Sequence, residues 1–128
     1  MNTNRMGVKI LSICDHRSIN FTRELLLQQN GYDVVSISST VPLCTVRIRT
    51  FHIAVICHSV SQNRAEGISL ELHNCNPSIR VVRLSAIPAK TSIVFDVECE
   101  AFAGPAALLQ ALELLVHVDH YLAPAVGM

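Results

Sequence analysis

The chain predicts a parallel α/β fold of the (βα)5, doubly wound type. Three observations lead there. Short runs rich in β-branched residues recur along the sequence, segments of helical spacing stand between them, and the connections are brief. Strands that alternate with helices in this way join by crossovers onto a parallel sheet. No repeat, linker or low-complexity stretch interrupts the 128 residues, so a single domain is expected. Its core covers about residues 7–118, between a polar N-terminal tail 1–6 and a C-terminal tail 119–128.

The first strand is VKILSI, residues 8–13, and it ends at Cys14-Asp15-His16. A helix follows over 18–30, with Phe21, Leu25 and Leu26 at helical spacing and Gly31 as its C-terminal cap. DVVSI, 33–37, is the second strand. After it, Ser38-Ser39-Thr40 offers capping hydroxyls and Pro42 suits a first turn, so a weak, β-branched helix is expected over about 42–49. Residues 53–57 (IAVIC) form an unbroken apolar run, which predicts a strand buried on both faces. A helix over 62–74 aligns Ile68 with Leu72 and stops at Asn76-Pro77. RVVRL, 80–84, is the fourth strand, and a short fifth lies near 95–98. Gly104-Pro105 opens a last helix to about residue 118, with Leu108, Leu112 and Leu115 as its inner stripe and Leu109 and Val116 beside it.

Ten basic and ten acidic residues cancel, which removes the electrostatic footprint of a nucleic-acid binder. No run approaches the roughly 18 apolar residues of a membrane span, and MNTNRMG lacks the apolar core of an export signal. The five cysteines, scattered and odd in number, suit reduced thiols in a cytoplasm better than a disulfide framework. Asn20-Phe21-Thr22 fits the glycosylation pattern, but without an export signal it is a coincidence. With half the residues apolar and only 16% charged, some apolar surface is expected to face a partner.

In such a sheet, ligands and chemistry sit beyond the carboxyl ends of the strands. Here those ends are Cys14-Asp15-His16, Cys57-His58, Ser85-Ala86 and Ala101-Phe102. Over almost its whole length the chain resembles the receiver domain of two-component response regulators, a flavodoxin-like fold. VKILSICDH, QQNGYDVVSIS, FHIAVICHSV, NPSIRVVRLSA and GPAALLQALELL carry the resemblance through their order and spacing. It implies five site positions. Of the two acidic residues that hold a divalent cation, one falls on Cys14 and only Asp15 keeps a carboxylate. The phosphoacceptor aspartate falls on Cys57, the hydroxyl after the fourth strand on Ser85, and the lysine after the fifth on Ala101. Mg²⁺ prefers carboxylate oxygens, so a site left with one is expected to bind it poorly. Without metal or lysine, nothing stabilises a transferring phosphoryl group. IPAKTSIVF leaves about ten residues where a receiver has its fourth helix, so that helix is expected to be missing or shortened to a turn, and Pro88 disfavours one there.

These departures make the chain a pseudo-receiver. The expected function is a phosphorylation-independent protein-interaction module in signalling, not an enzyme and without a cofactor. It would act in the cytoplasm through a protein partner, with a homodimer left open, and without nucleic acid or membrane. With no DNA-binding or catalytic domain following, output is expected to pass through that partner. The terminal helix offers the candidate interface, through Leu109, Ala111, Leu114 and Val118.

A second function stays open. Cys14 and Cys57 would stand on neighbouring strand ends with His16 and His58 nearby, a set that suits zinc, a disulfide or a thiol sensor. Against it, both cysteines could simply fill space as small hydrophobes. His16 and His58 read otherwise as exposed loop residues, and His73 with Cys75 as an ordinary helix end. Arg47, Arg49, Arg80 and Arg83 read as solvated faces, and Ser85 lacks the setting of a nucleophile.

Overall fold

The computed structural model describes residues 7–86 and 94–126, with side chains as far as residue 116. Among the described residues the strands are β1 (Lys9–Ile13), β2 (Asp33–Ile37), β3 (Ile53–Ile56), β4 (Arg80–Ser85) and β5 (Val97–Glu100). They make one sheet in the order β2-β1-β3-β4-β5, and every neighbouring pair is parallel. Among the described residues three helices pack on it: α1 (Arg17–Gln29), α2 (Gln62–Cys75) and α3 (Pro105–Val126). This is the doubly wound arrangement expected.

The period-2 alternation of strand side chains divides the core in two. Ile10, Ile53, Val55, Val82 and Leu84 face one side and pack with Leu27 of α1 and with Leu108 and Leu112 of α3. Leu11, Ile13, Ala54, Ile56 and Val81 face the other and pack with Ile68 and Leu72 of α2. Every residue of β3 is buried, as its unbroken apolar run requires.

Helix ends follow their capping chemistry. Ser61 Oγ accepts from Arg64 N at the start of α2, and His16 Nδ1 accepts from Ile19 N at the start of α1. At the end of α1, Gly31 N donates to Gln28 O and Tyr32 N to Leu27 O, the paired bonds of a Schellman cap. Gly31 has φ of 91°, a left-handed value that costs other residues about 1 kcal/mol or more. Gly31→Ala is therefore expected to lower stability by about 1 kcal/mol, read as a shifted urea midpoint with unchanged slope; no shift would discount the cap.

Four expectations are corrected. The weak helix over 42–49 is two 3₁₀ turns, Leu43–Thr45 and Ile48–Thr50, because β-branched residues hold short turns more readily than a regular helix. Leu43, Ile48 and Phe51 still reach the core from them. The fifth strand runs two residues later than expected, since Phe95 packs beneath α2 and Asp96 accepts from Val81 N and faces His73. The terminal helix continues its backbone to Val126, past the expected end near residue 118. Finally, α1 presents a different face: Phe21 is 61% and Leu25 42% exposed, while the polar Asn20 is buried.

Asn20 explains that rotation. Its amide accepts from Ser12 Oγ at 2.9 Å and donates to Ile37 O at 3.1 Å, joining α1 to β1 and β2. A buried amide in use as a donor is no glycosylation acceptor. Between β4 and β5 no helix occurs among the described residues, and residues 87–93, Pro88 included, lie outside them. No helix among the described residues is long and apolar enough to cross a membrane.

Candidate functional site

Parallel pairing brings the carboxyl ends of β1 and β3 together. Ile13 stands opposite Ile56, and Cys57 N donates to Ile13 O at 2.9 Å, so the register continues to Cys14 and Cys57. Both are buried, and both are free thiols. Their side chains share the face of Ile10, Ser12, Ile53 and Val55, which is the α1 and α3 side of the sheet.

The thiols interact with each other and with the loops above. Cys14 Sγ is 3.4 Å from Ser59 Oγ and 3.5 Å from His16 O, and Ser59 Oγ accepts from Asp15 N at 3.0 Å. Cys57 Sγ is 3.6 Å from His58 Nδ1. Burial works to raise the Cys57 thiol. The neighbouring Cys14, the Ser59 backbone, the Arg23 guanidinium and the Ser59 hydroxyl outweigh it and hold Cys57 below the ordinary thiol value. Cys14 moves the opposite way, raised by burial and by the neighbouring Cys57. The two thiols are thus pushed apart, with the thiolate favoured at Cys57.

Two arginines flank the pair, and sequence patterning alone did not place either one there. Arg23, on the inner face of α1, stands close enough to Cys57 to favour its thiolate, and its Nη1 is buried without a hydrogen-bond partner. It also lines an open cleft of about 380 Å³ between α1 and the start of α3, with Thr22, Leu26, Ala101 and Pro105. Arg83 is 4% exposed, which corrects its reading as a solvated face. Its Nη1 donates to Cys57 O at 2.7 Å and its Nη2 to Val60 O at 2.8 Å, so β4 clamps the loop that follows β3. Arg47 and Arg49 are exposed, and Arg80 lies 3.8 Å from Asp96.

The remaining predicted positions are turned to other tasks. Asp15 accepts from Ser39 N and Ser39 Oγ, both at 2.7 Å, so its two oxygens tie the β1 end to the loop after β2. Ser85 Oγ donates to Glu98 Oε2 at 3.2 Å. Ala101 is half-buried against the α3 side of the core and brings no cation. This donor set of two sulfurs and one committed carboxylate does not fit Mg²⁺, a hard ion that demands oxygen ligands. The four side chains of the zinc alternative are not brought together: among the described residues no three His, Cys, Asp or Glu side chains converge. His16 is spent on capping α1, and the His58 ring packs edge-on to Phe102 at 5.1 Å.

The candidate interface on α3 divides. Leu109 packs partly against the core, beside the inner stripe. Ala111 is half-buried, Leu114 is 62% exposed, and the side chain of Val118 lies outside the described residues.

No protein-family model matches the chain, and no curated protein matches it as a relative. Solved structures match its fold. A response regulator receiver domain protein from Clostridium thermocellum is 21% identical, with a TM-score of 0.75 over 90% of this chain and 98% of that one. A CheY-like receiver domain protein from Methanospirillum hungatei is 15% identical, with a TM-score of 0.73 over 89% and 97%. A chain of the complex between the histidine kinase ThkA and the response regulator TrrA is 13% identical, with a TM-score of 0.72 over 84% and 97%. The chain has the receiver fold.

Proposed function

We propose that this protein is a receiver-like protein-interaction module of two-component signalling that works in the cytoplasm without aspartyl phosphorylation. The observation that carries this is the state of the phosphoacceptor position. Cys57 is buried, stands beside Cys14, and is clamped from behind by Arg83, while Asp15 is committed to Ser39. Among the receiver site positions the one carboxylate is Asp15, and both its oxygens are taken by Ser39. The fold that positions partners in signalling is kept, and the chemistry that switches it is not.

The partner surface we assign lies on the α1 and α3 side. Phe21 and Leu25 stand one helical turn apart on α1 and are exposed, and Leu114 is exposed on α3. Both helices cover the same sheet face. The response regulator TrrA is found in complex with a histidine kinase, and a signalling protein of comparable kind suits this apolar surface. Sedimentation velocity distinguishes the occupants. Self-association that Leu114→Glu abolishes assigns the face to a second copy, whereas a monomer at every concentration assigns it to a different protein.

The test of phosphorylation independence is direct. Incubation with acetyl phosphate and Mg²⁺ is expected to leave the intact mass unchanged, both for the wild type and for Cys57→Asp. One added phosphoryl group on the wild type would overturn the proposal. Labelling of Cys57→Asp alone would show a pocket still able to assemble around a restored carboxylate, contrary to the commitment of Asp15 described above.

A further inference from the structure

We propose that Cys14 and Cys57 are a dithiol modification site, converted by a hydroperoxide into a disulfide that bridges β1 and β3. Geometry supports it first. The two residues are lateral neighbours at the sheet end, with side chains on one face. Adjacent strands lie about 4.8 Å apart, inside the Cα separation of roughly 4.4–6.8 Å that a disulfide spans. Each thiol perturbs the other's titration, as side chains standing next to one another do, so closing the bond requires little backbone movement.

The chemical setting supports it independently. Buried cysteines in apolar surroundings are inert, and reactive ones sit near cations and solvent. Cys57 has the Arg23 guanidinium beside it and Arg83 on its carbonyl. Cys14 touches Ser59, which is itself exposed, and Arg23 lines an open cleft. Each sulfur is therefore one residue below solvent on a polar rim.

The reaction balances with the peroxide as oxidant. Cys57 thiolate attacks the distal peroxide oxygen, the O–O bond breaks, and a Cys57 sulfenic acid forms with release of alkoxide or hydroxide, which takes up the proton Cys57 gave up. Cys14 then attacks the Cys57 sulfur. The S–S bond forms, the S–O bond breaks, and the hydroxyl leaves as water with the Cys14 proton. Two electrons pass from the thiols to the peroxide.

The experiment uses the full chain with the exposed Cys44 and Cys75 changed to Ser. Folded, reduced protein is treated with hydrogen peroxide, alkylated and mapped. The expected result is loss of two hydrogens and a Cys14–Cys57 cross-linked peptide, with helical circular dichroism retained. Cys14→Ser should instead let dimedone trap a sulfenic acid on Cys57. Arg23→Gln should slow the reaction at pH 7 by about threefold or more and move its pH profile upward. Unmodified thiols until denaturant is added, or trapping at Cys14 with Cys57 unreacted, would overturn the site. Neither outcome bears on the acetyl phosphate result, so the two proposals fail separately.

Discussion

Arg83→Ala is expected to destabilise the protein by about 3 kcal/mol, enough to lower Tm by roughly 10 °C. Arg83 is buried in β4 and donates to two carbonyls of one loop, Cys57 O and Val60 O. Burial pushes its guanidinium down from the ordinary arginine value, while Cys57, Glu98 and Glu66 draw it back up. Truncation removes two charge-assisted bonds and opens a cavity in the same step. Arg83→Met isolates the first effect. It keeps volume and also removes Nε, which is buried without a partner, so its loss should be smaller, about 2 kcal/mol. Arg83→Lys should fall between wild type and Ala, because one ammonium cannot reproduce a fork aimed at two carbonyls. Urea denaturation at constant slope measures all three. An Arg83→Ala midpoint equal to wild type would show that the clamp contributes nothing.

Arg83 also marks where the sequence became hard to read. The alternation of RVVRLS already sets Arg83 on the same side as Val81, so an inward charge was visible in the period. It was masked by the default that arginine is solvated. Strands, order and the inner stripe of the last helix were legible because each rests on a local pattern of apolar residues. The rotation of α1 was not. Phe21 and Leu25 outweigh Asn20 in any hydrophobic count, yet Asn20 is inward because β1 presents Ser12 and β2 presents Ile37 O as partners. Those partners exist only once three elements have assembled. The site divides along the same line. Cys14 and Cys57 could be placed by counting along two strands, but their arginine neighbour comes from a helix whose facing was unknown. Asp15 kept its position and lost its task to Ser39, a residue 24 places away.

Leu112→Ala is the second large effect, an expected loss of about 3 kcal/mol. Leu112 is fully buried and joins α3 to Ile10, Val55 and Val82 through the α1 and α3 side of the core. Removing its side chain leaves a cavity between helix and sheet, and the branched strand residues around it have little freedom to fill it. Leu114, two residues on, supplies the control. It is 62% exposed, so Leu114→Ala should change stability by no more than about 0.5 kcal/mol while reducing any association through that face. Together the two substitutions separate folding from docking within a single helical turn. If Leu112→Ala were tolerated and Leu114→Ala destabilising, α3 would have to be rotated by about half a turn from its described seat, and the proposed partner surface would be core. If both were destabilising by similar amounts, the exposed row would be covered within the protein itself. The expected split, a large loss at Leu112 and none at Leu114, leaves Leu114 available with Phe21 and Leu25 as an apolar surface that nothing among the described residues covers.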